Sequence, residues 1–136
     1  MKRSATANWK GTGKEGNGTV TTDSGVLKDT QYSYLSRFES GIGTNPEELI
    51  AAAHAGCFTM KLSFVISGAG FTPGNIDTKA AVTFEGGAIP GIHLTVTASV
   101  PGLDEAKFQE FAEDAKANCP ISKLLNTNIT MEAKLV

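Results

Sequence analysis

NPEELIAAAHAGCFTMKLSFVISG, residues 45–68, is the stretch whose reading decides the fold. Asn45 supplies a capping side chain, Pro46 suits the first helical position, and Glu47 and Glu48 put acids in the first turn, so a helix starts here. It runs to about Ser67, where Gly68 and Gly70 offer a stop and Pro73 a turn. After the first turn Lys61 is its one charge, and its apolar residues lie nearly all round rather than along one stripe. Such a helix should be buried on most sides. One small domain rarely covers a long helix completely, so burial against a partner chain is plausible on these grounds.

The flanks read as strands. Before the helix come SATANWKG, NGTVTTDSG and TQYSYLSRFES, with Asn17-Gly18 and Ser24-Gly25 as turns, and the alternation of Thr19 with Thr21 and Tyr32 with Tyr34 predicts an antiparallel meander. After it, NIDTKAAVTFEGG and GIHLTVTASV read as two strands separated by Gly86, Gly87, Pro90 and Gly91. LDEAKFQEFAEDAKAN is an amphipathic helix with Phe108, Phe111, Ala112 and Ala115 on its inner face. Pro120 then permits a short helical turn, PISKLLN, and NITMEAKLV closes the chain as an alternating strand. The expected class is α+β, antiparallel sheets packed around a long central helix, in a single domain spanning 1–136.

Composition narrows the function. At 40% hydrophobic, 19% charged and a net charge of −2, the chain gives no reason to expect nucleic acid or an anionic membrane as a partner. The amino-terminal MKRSATANWKGTGKEG lacks the apolar core of a signal peptide, and no stretch approaches the roughly 20 apolar residues of a spanning helix. The expected location is cytoplasmic, where a standing structural disulfide is uncommon and a transient catalytic or sensing pair is not.

That places weight on Cys57 and Cys119, the two cysteines of the chain. With two histidines and two distant cysteines there is no zinc spacing. Cys57 sits in an apolar run, which raises a thiol pKa unless a cation or hydrogen-bond donor compensates. At about the thirteenth residue of its helix it lies beyond reach of that helix's amino-terminal dipole. The compensating charge must come from elsewhere.

Arg37 is the leading candidate, because it interrupts the uncharged YSYLSRF, where strand alternation would put Leu35, Arg37 and Glu39 on one face. A solvent-facing arginine is the competing account. Lys61, one turn past Cys57, either supplies charge or snorkels. Glu47 and Glu48 stabilise the helix start, Glu48 at the acidic position of a capping box, and Glu47 could also hold an arginine. Ten residues separate Glu47 from Cys57, about 15 Å along the helix, too far for a glutamate to bridge. If the two belong to one site, a long side chain connects them, or two copies of the helix run antiparallel in a dimer.

His54, three residues before Cys57, reads as a packed histidine or as a Cys-His pair without an orienting third group. His93 reads as an ordinary strand residue. Cys119 precedes Pro120 and can cap the last short helix, where amide donors favour a thiolate or a leaving sulfur. Two unrelated buried thiols remain the competing account of the cysteines.

GTNPEELIAAAHAGCFTMKLS at 43–63 and NCPIS at 118–122 resemble the two signature segments of the OsmC/Ohr family. TVTTDSGVL, RFE and the AGFTP-x-x-ID stretch from Ala69 to Asp77 extend the resemblance over nearly the whole chain and favour its OsmC branch. The resemblance implies an intertwined α+β homodimer and a thiol-dependent peroxidase that reduces organic hydroperoxides to alcohols. It assigns Cys57 as the peroxidatic and Cys119 as the resolving cysteine, Arg37 and Glu47 as the polar pair, and an external dithiol of the lipoyl type as reductant. No metal or organic cofactor is implied, since oxidation and reduction both take place on sulfur. A thiol redox sensor or binding protein without rapid turnover is the alternative.

Overall fold

The computed structural model describes residues 1–136. The chain divides into two compact units, Met1–Leu49 and Ile50–Val136.

The first unit holds a three-stranded antiparallel sheet in the order β1 (Ala5–Lys10), β2 (Asn17–Thr22), β3 (Thr30–Ser33). Asn17 and Gly18 open β2 instead of forming a turn. Gly18 is needed for close approach, because a Cβ there would stand 2.6 Å from Trp9 Cε3 and 2.7 Å from Tyr32 Cε1. The turn at Ser24-Gly25 is as the sequence indicates, with Gly25 at φ 78°.

The expected strand through Arg37 does not form. After β3 the chain enters a short helix, α1 (Tyr34–Phe38). Ser33 and Ser36 make reciprocal cap bonds, Ser36 N–H to Ser33 Oγ at 3.1 Å and Ser33 N–H to Ser36 Oγ at 2.8 Å. Local hydroxyls thus outcompete the sheet for these amides, and Leu35, Arg37 and Glu39 do not share a strand face. Ser36 Oγ also donates to Thr44 O at 2.7 Å and Asn45 Nδ2 to Ser36 O at 3.0 Å. These bonds tie α1 to the start of the long helix, α2 (Pro46–Gly68).

The second unit contains most of α2 and a sheet in the order β4 (Ile76–Glu85), β5 (Ala88–Ala98), β6 (Asn128–Leu135). Gly86 and Gly87, both at positive φ, turn β4 into β5, while Pro90 and Gly91 lie inside β5. The expectation of antiparallel sheets is met except at one pairing, since β6 runs parallel to β5. A parallel neighbour needs a crossover of a dozen or more residues, here made by α3 (Glu105–Asn118) and α4 (Pro120–Leu124). The core combines Ile92, Leu94 and Val96 of β5, Phe58, Leu62 and Ile66 of α2, and Phe108 and Ala112 of α3.

Helix α2 buries His54, Phe58, Leu62 and Ile66, a stripe at intervals of four. Its other side carries Gly56, Met60 and Phe64, with Met60 64% and Phe64 67% exposed. Contrary to expectation, the helix is long and apolar enough to cross a membrane by length and composition, with mean hydropathy 1.6 over its best window. Its alanines add apolar length between the polar residues His54, Thr59, Lys61, Ser63 and Ser67. The buried stripe packs in the second unit's core, and 22% of that window is buried in the single chain.

Candidate active site

The polar pair lies in the first unit. Arg37, in the last turn of α1, donates from Nε to Glu47 Oε1 at 3.0 Å and to Oε2 at 3.3 Å, and from Nη2 to Oε1 at 2.8 Å. This fork holds a planar guanidinium in one orientation, which a lysine cannot reproduce. Its carboxylate is the more buried partner, at 13% exposure against 38% for the arginine side chain. Glu48 departs from the expected capping box. Its backbone N–H donates to Asn45 Oδ1 at 2.8 Å, and its carboxylate accepts from Thr44 Oγ1 at 2.7 Å.

The thiols meet in the second unit. Cys57 on α2 and Cys119, between α3 and α4, bring their sulfurs to 2.9 Å, a thiol–thiol contact in which either sulfur can donate. Both are free thiols, Cys119 buried and Cys57 half-buried. The crossover required by the parallel strand therefore delivers Cys119 onto α2.

Burial pushes the Cys57 thiol up, and the hydrogen bond and charge of Cys119 add to that. The Ile121 backbone amide and Lys61 act in the opposite direction. Cys119 is the N-cap residue of α4 but makes no side-chain cap bond. The amide donation expected for Cys119 goes instead to Cys57, from the first turn of α4. Lys61, left between two accounts by the sequence, is a cation that favours the Cys57 thiolate. Cys57 opens onto an apolar cavity of about 290 Å³ lined by Met60, Lys61, Phe64, Asn118 and Pro120.

His54 is not paired with Cys57. It is fully buried and its Nε2 lies 2.7 Å from Ser122 Oγ, while Nδ1 has no hydrogen-bond partner. Burial lowers its pKa, which favours the neutral ring. Ser122 and the Ile121 amide are the participants that sequence reasoning missed. Ser122 follows Cys119 by the same three residues by which His54 precedes Cys57, a spacing that carries no signal before the fold is known. His93, on β5, has Nδ1 2.7 Å from Thr130 Oγ1 and takes no part.

Residues 39–134, which include both cysteines and Glu47, match the family model of the OsmC-like proteins. The chain belongs to the OsmC-like family. It is 48% identical to the Peroxiredoxin OsmC of Escherichia coli K12 over 133 residues, covering 95% of this chain and 93% of that protein. It is 31% identical to the organic hydroperoxide resistance protein OhrB of Bacillus subtilis over 127 residues, covering 87% and 88%. The OsmC-like fold is seen also in a crystal structure from Mycoplasma pneumoniae, at a TM-score of 0.78 and 15% identity, covering 100% of this chain and 98% of that one. The α+β OsmC-like fold expected from the sequence is thus the observed one.

Proposed function

We propose that this OsmC-like protein is a cysteine-based peroxidase that reduces organic hydroperoxides to alcohols. The observation that carries the reading is the thiol pair itself, with Cys57 open to an apolar cavity and Cys119 buried 2.9 Å behind it. The Cys57 thiolate attacks the terminal peroxide oxygen and the O–O bond breaks. The alkoxide leaves and takes a proton as the alcohol, and Cys57 becomes a sulfenic acid. Cys119 then attacks that sulfur, a disulfide forms and water departs. An external dithiol of the dihydrolipoyl type reduces the disulfide and is itself oxidised to a disulfide. The names of the E. coli and B. subtilis relatives support this class of activity.

The working form in this reading is a homodimer, and a second copy supplies Arg37, oriented by Glu47, as the cation that stabilises the Cys57 thiolate. Two observations support it. The exposed stripe of α2, with Met60 and Phe64, is apolar surface of the kind a partner covers. Burial and Cys119 together push the Cys57 thiol up, so further positive charge is required.

The raised thiol also favours a second reading, a redox sensor oxidised once and slowly. Turnover of cumene hydroperoxide with dihydrolipoamide separates the two. Multiple turnovers by the wild type, lost in Cys57→Ser, are the expected result. A single stoichiometric oxidation establishes the sensor, and undiminished peroxidase activity in Cys57→Ser sinks the thiol assignment.

A further inference from the structure

Helix α2 and the segment Cys119–Ser122 are joined at two rungs. One is the sulfur contact at 2.9 Å and the other, three residues along each segment, is the His54–Ser122 bond at 2.7 Å. We propose that the buried His54–Ser122 bond is a positioning device that holds the Cys119 thiol against Cys57. A sulfenic acid formed on Cys57 then closes to the disulfide before it meets a second oxidant. The inference rests on the reading of these thiols as a peroxidatic and a resolving cysteine.

The segment that carries Cys119 has little of its own to hold it. Helix α4 has five residues and no side-chain cap bond at Cys119, and a helix of one turn is not stable by itself. Ile121 and Leu125 pack against the core, but apolar contact is non-directional and does not fix the rotation of a single turn. A hydrogen bond between two buried groups does.

The histidine is also a costly choice for mere filling. Its Nδ1 is buried without a partner, and an unsatisfied buried polar atom opposes folding where a leucine would not. The tautomer that limits this cost carries the proton on Nε2 and donates it to Ser122 Oγ, leaving an acceptor rather than an N–H orphaned.

Two reactions compete for the sulfenic acid. Cys57-SOH and Cys119-SH give the disulfide and water, whereas Cys57-SOH and a second hydroperoxide give the sulfinic acid and an alcohol. Positioning accelerates only the first. A loosened α4 therefore shifts the partition toward sulfinic acid, while the first step, where losing the Ile121 amide and losing Cys119 act on the Cys57 thiolate in opposite directions, changes less than closure.

The test follows both steps by rapid mixing with cumene hydroperoxide and quantifies sulfinic acid on Cys57 by mass spectrometry. In Ser122→Ala, sulfenic acid formation is expected to change less than disulfide closure. Disulfide closure should slow about tenfold, the factor corresponding to a lost buried hydrogen bond, and sulfinic acid per turnover should rise. His54→Leu should match it, while His54→Gln, whose Nε2 can reach Ser122, should restore closure. In a glutathione redox buffer, tenfold weaker closure makes the Cys57-Cys119 potential less reducing by about 30 mV.

Wild-type closure in Ser122→Ala overturns the proposal. So does an equal slowing of both steps, or a His54→Gln variant no better than His54→Leu. A wild type that forms no sulfenic acid on Cys57 overturns the peroxidase reading instead, and the glutathione measurement, which uses no peroxide, still decides the positioning role.

Discussion

Cys119 Sγ reaches Cys57 Sγ at 2.9 Å across 62 residues of chain. The meeting is a product of topology. Strand β6 lies parallel to β5, so the chain must cross over through α3 and α4, and Cys119 stands at the joint between those helices.

Cys119→Ser should separate the two halves of the proposed cycle. One equivalent of hydroperoxide still oxidises Cys57, and a dimedone adduct on Cys57 accumulates because no partner thiol removes the sulfenic acid. Dithiol-dependent turnover falls. Intact-mass spectrometry beside a coupled assay checks both, and a variant that recycles at the wild-type rate would falsify the resolving role.

Arg37→Lys keeps the charge and loses the fork to Glu47. Loss of charge-assisted hydrogen bonds of this kind costs about 1.5–3 kcal/mol, so kcat/KM for cumene hydroperoxide should fall roughly ten- to a hundredfold. Steady-state kinetics on the purified variant reads the change directly.

The pH behaviour of Cys57 should depend on assembly. Its raised pKa in the single chain favours the neutral thiol, so the thiolate fraction at neutral pH is small and grows as pH climbs past the usual thiol range. Charge from Arg37 of a second copy lowers the midpoint. A Met60→Gln/Phe64→Gln variant, which adds no charge beside Cys57 and is monomeric by sedimentation, should therefore show a higher midpoint for iodoacetamide alkylation than the wild type. Equal midpoints would remove the second copy from the activation of Cys57.

His54 should leave a signature in acid. Its folded pKa lies below its ordinary 6.5, so the unfolded chain binds the proton more readily and stability is lost as pH falls below 6.5 toward the folded value. One proton corresponds to at most about 1.4 kcal/mol per pH unit. Urea titrations from neutral to acid pH should show this slope in the wild type and a flatter one in His54→Leu.

Phe58→Ala empties a fully buried position in the core of the second unit. The expected cost is about 3–5 kcal/mol, read as a lower urea midpoint with an unchanged m-value.

Elements whose signals are local were legible in the sequence. The start of α2 is written in Asn45, Pro46 and Glu47, and β4 to β6 in alternating Val, Thr and Ile, because caps and periodicity need no knowledge of the rest of the fold. The stretch around Arg37 misled for the same reason. YSYLSRF alternates like a strand, yet the Ser33–Ser36 exchange of cap bonds closes it into α1. Residue types pointed to the thiols and to Arg37 and Glu47, while the resemblance paired them. The Ser122 contact to His54 was out of reach, since a serine three residues past a cysteine announces nothing until the crossover lays α4 on α2.

The unequal exposure of the two sulfurs has a kinetic consequence. Every bimolecular partner in the proposed cycle, peroxide and dithiol alike, must arrive at Cys57, because Cys119 is sealed. Reduction thus proceeds through a mixed disulfide on Cys57, with Cys119 as the departing sulfur. Substrate and reductant take turns at one opening, so initial-rate plots against either should be parallel lines of ping-pong form.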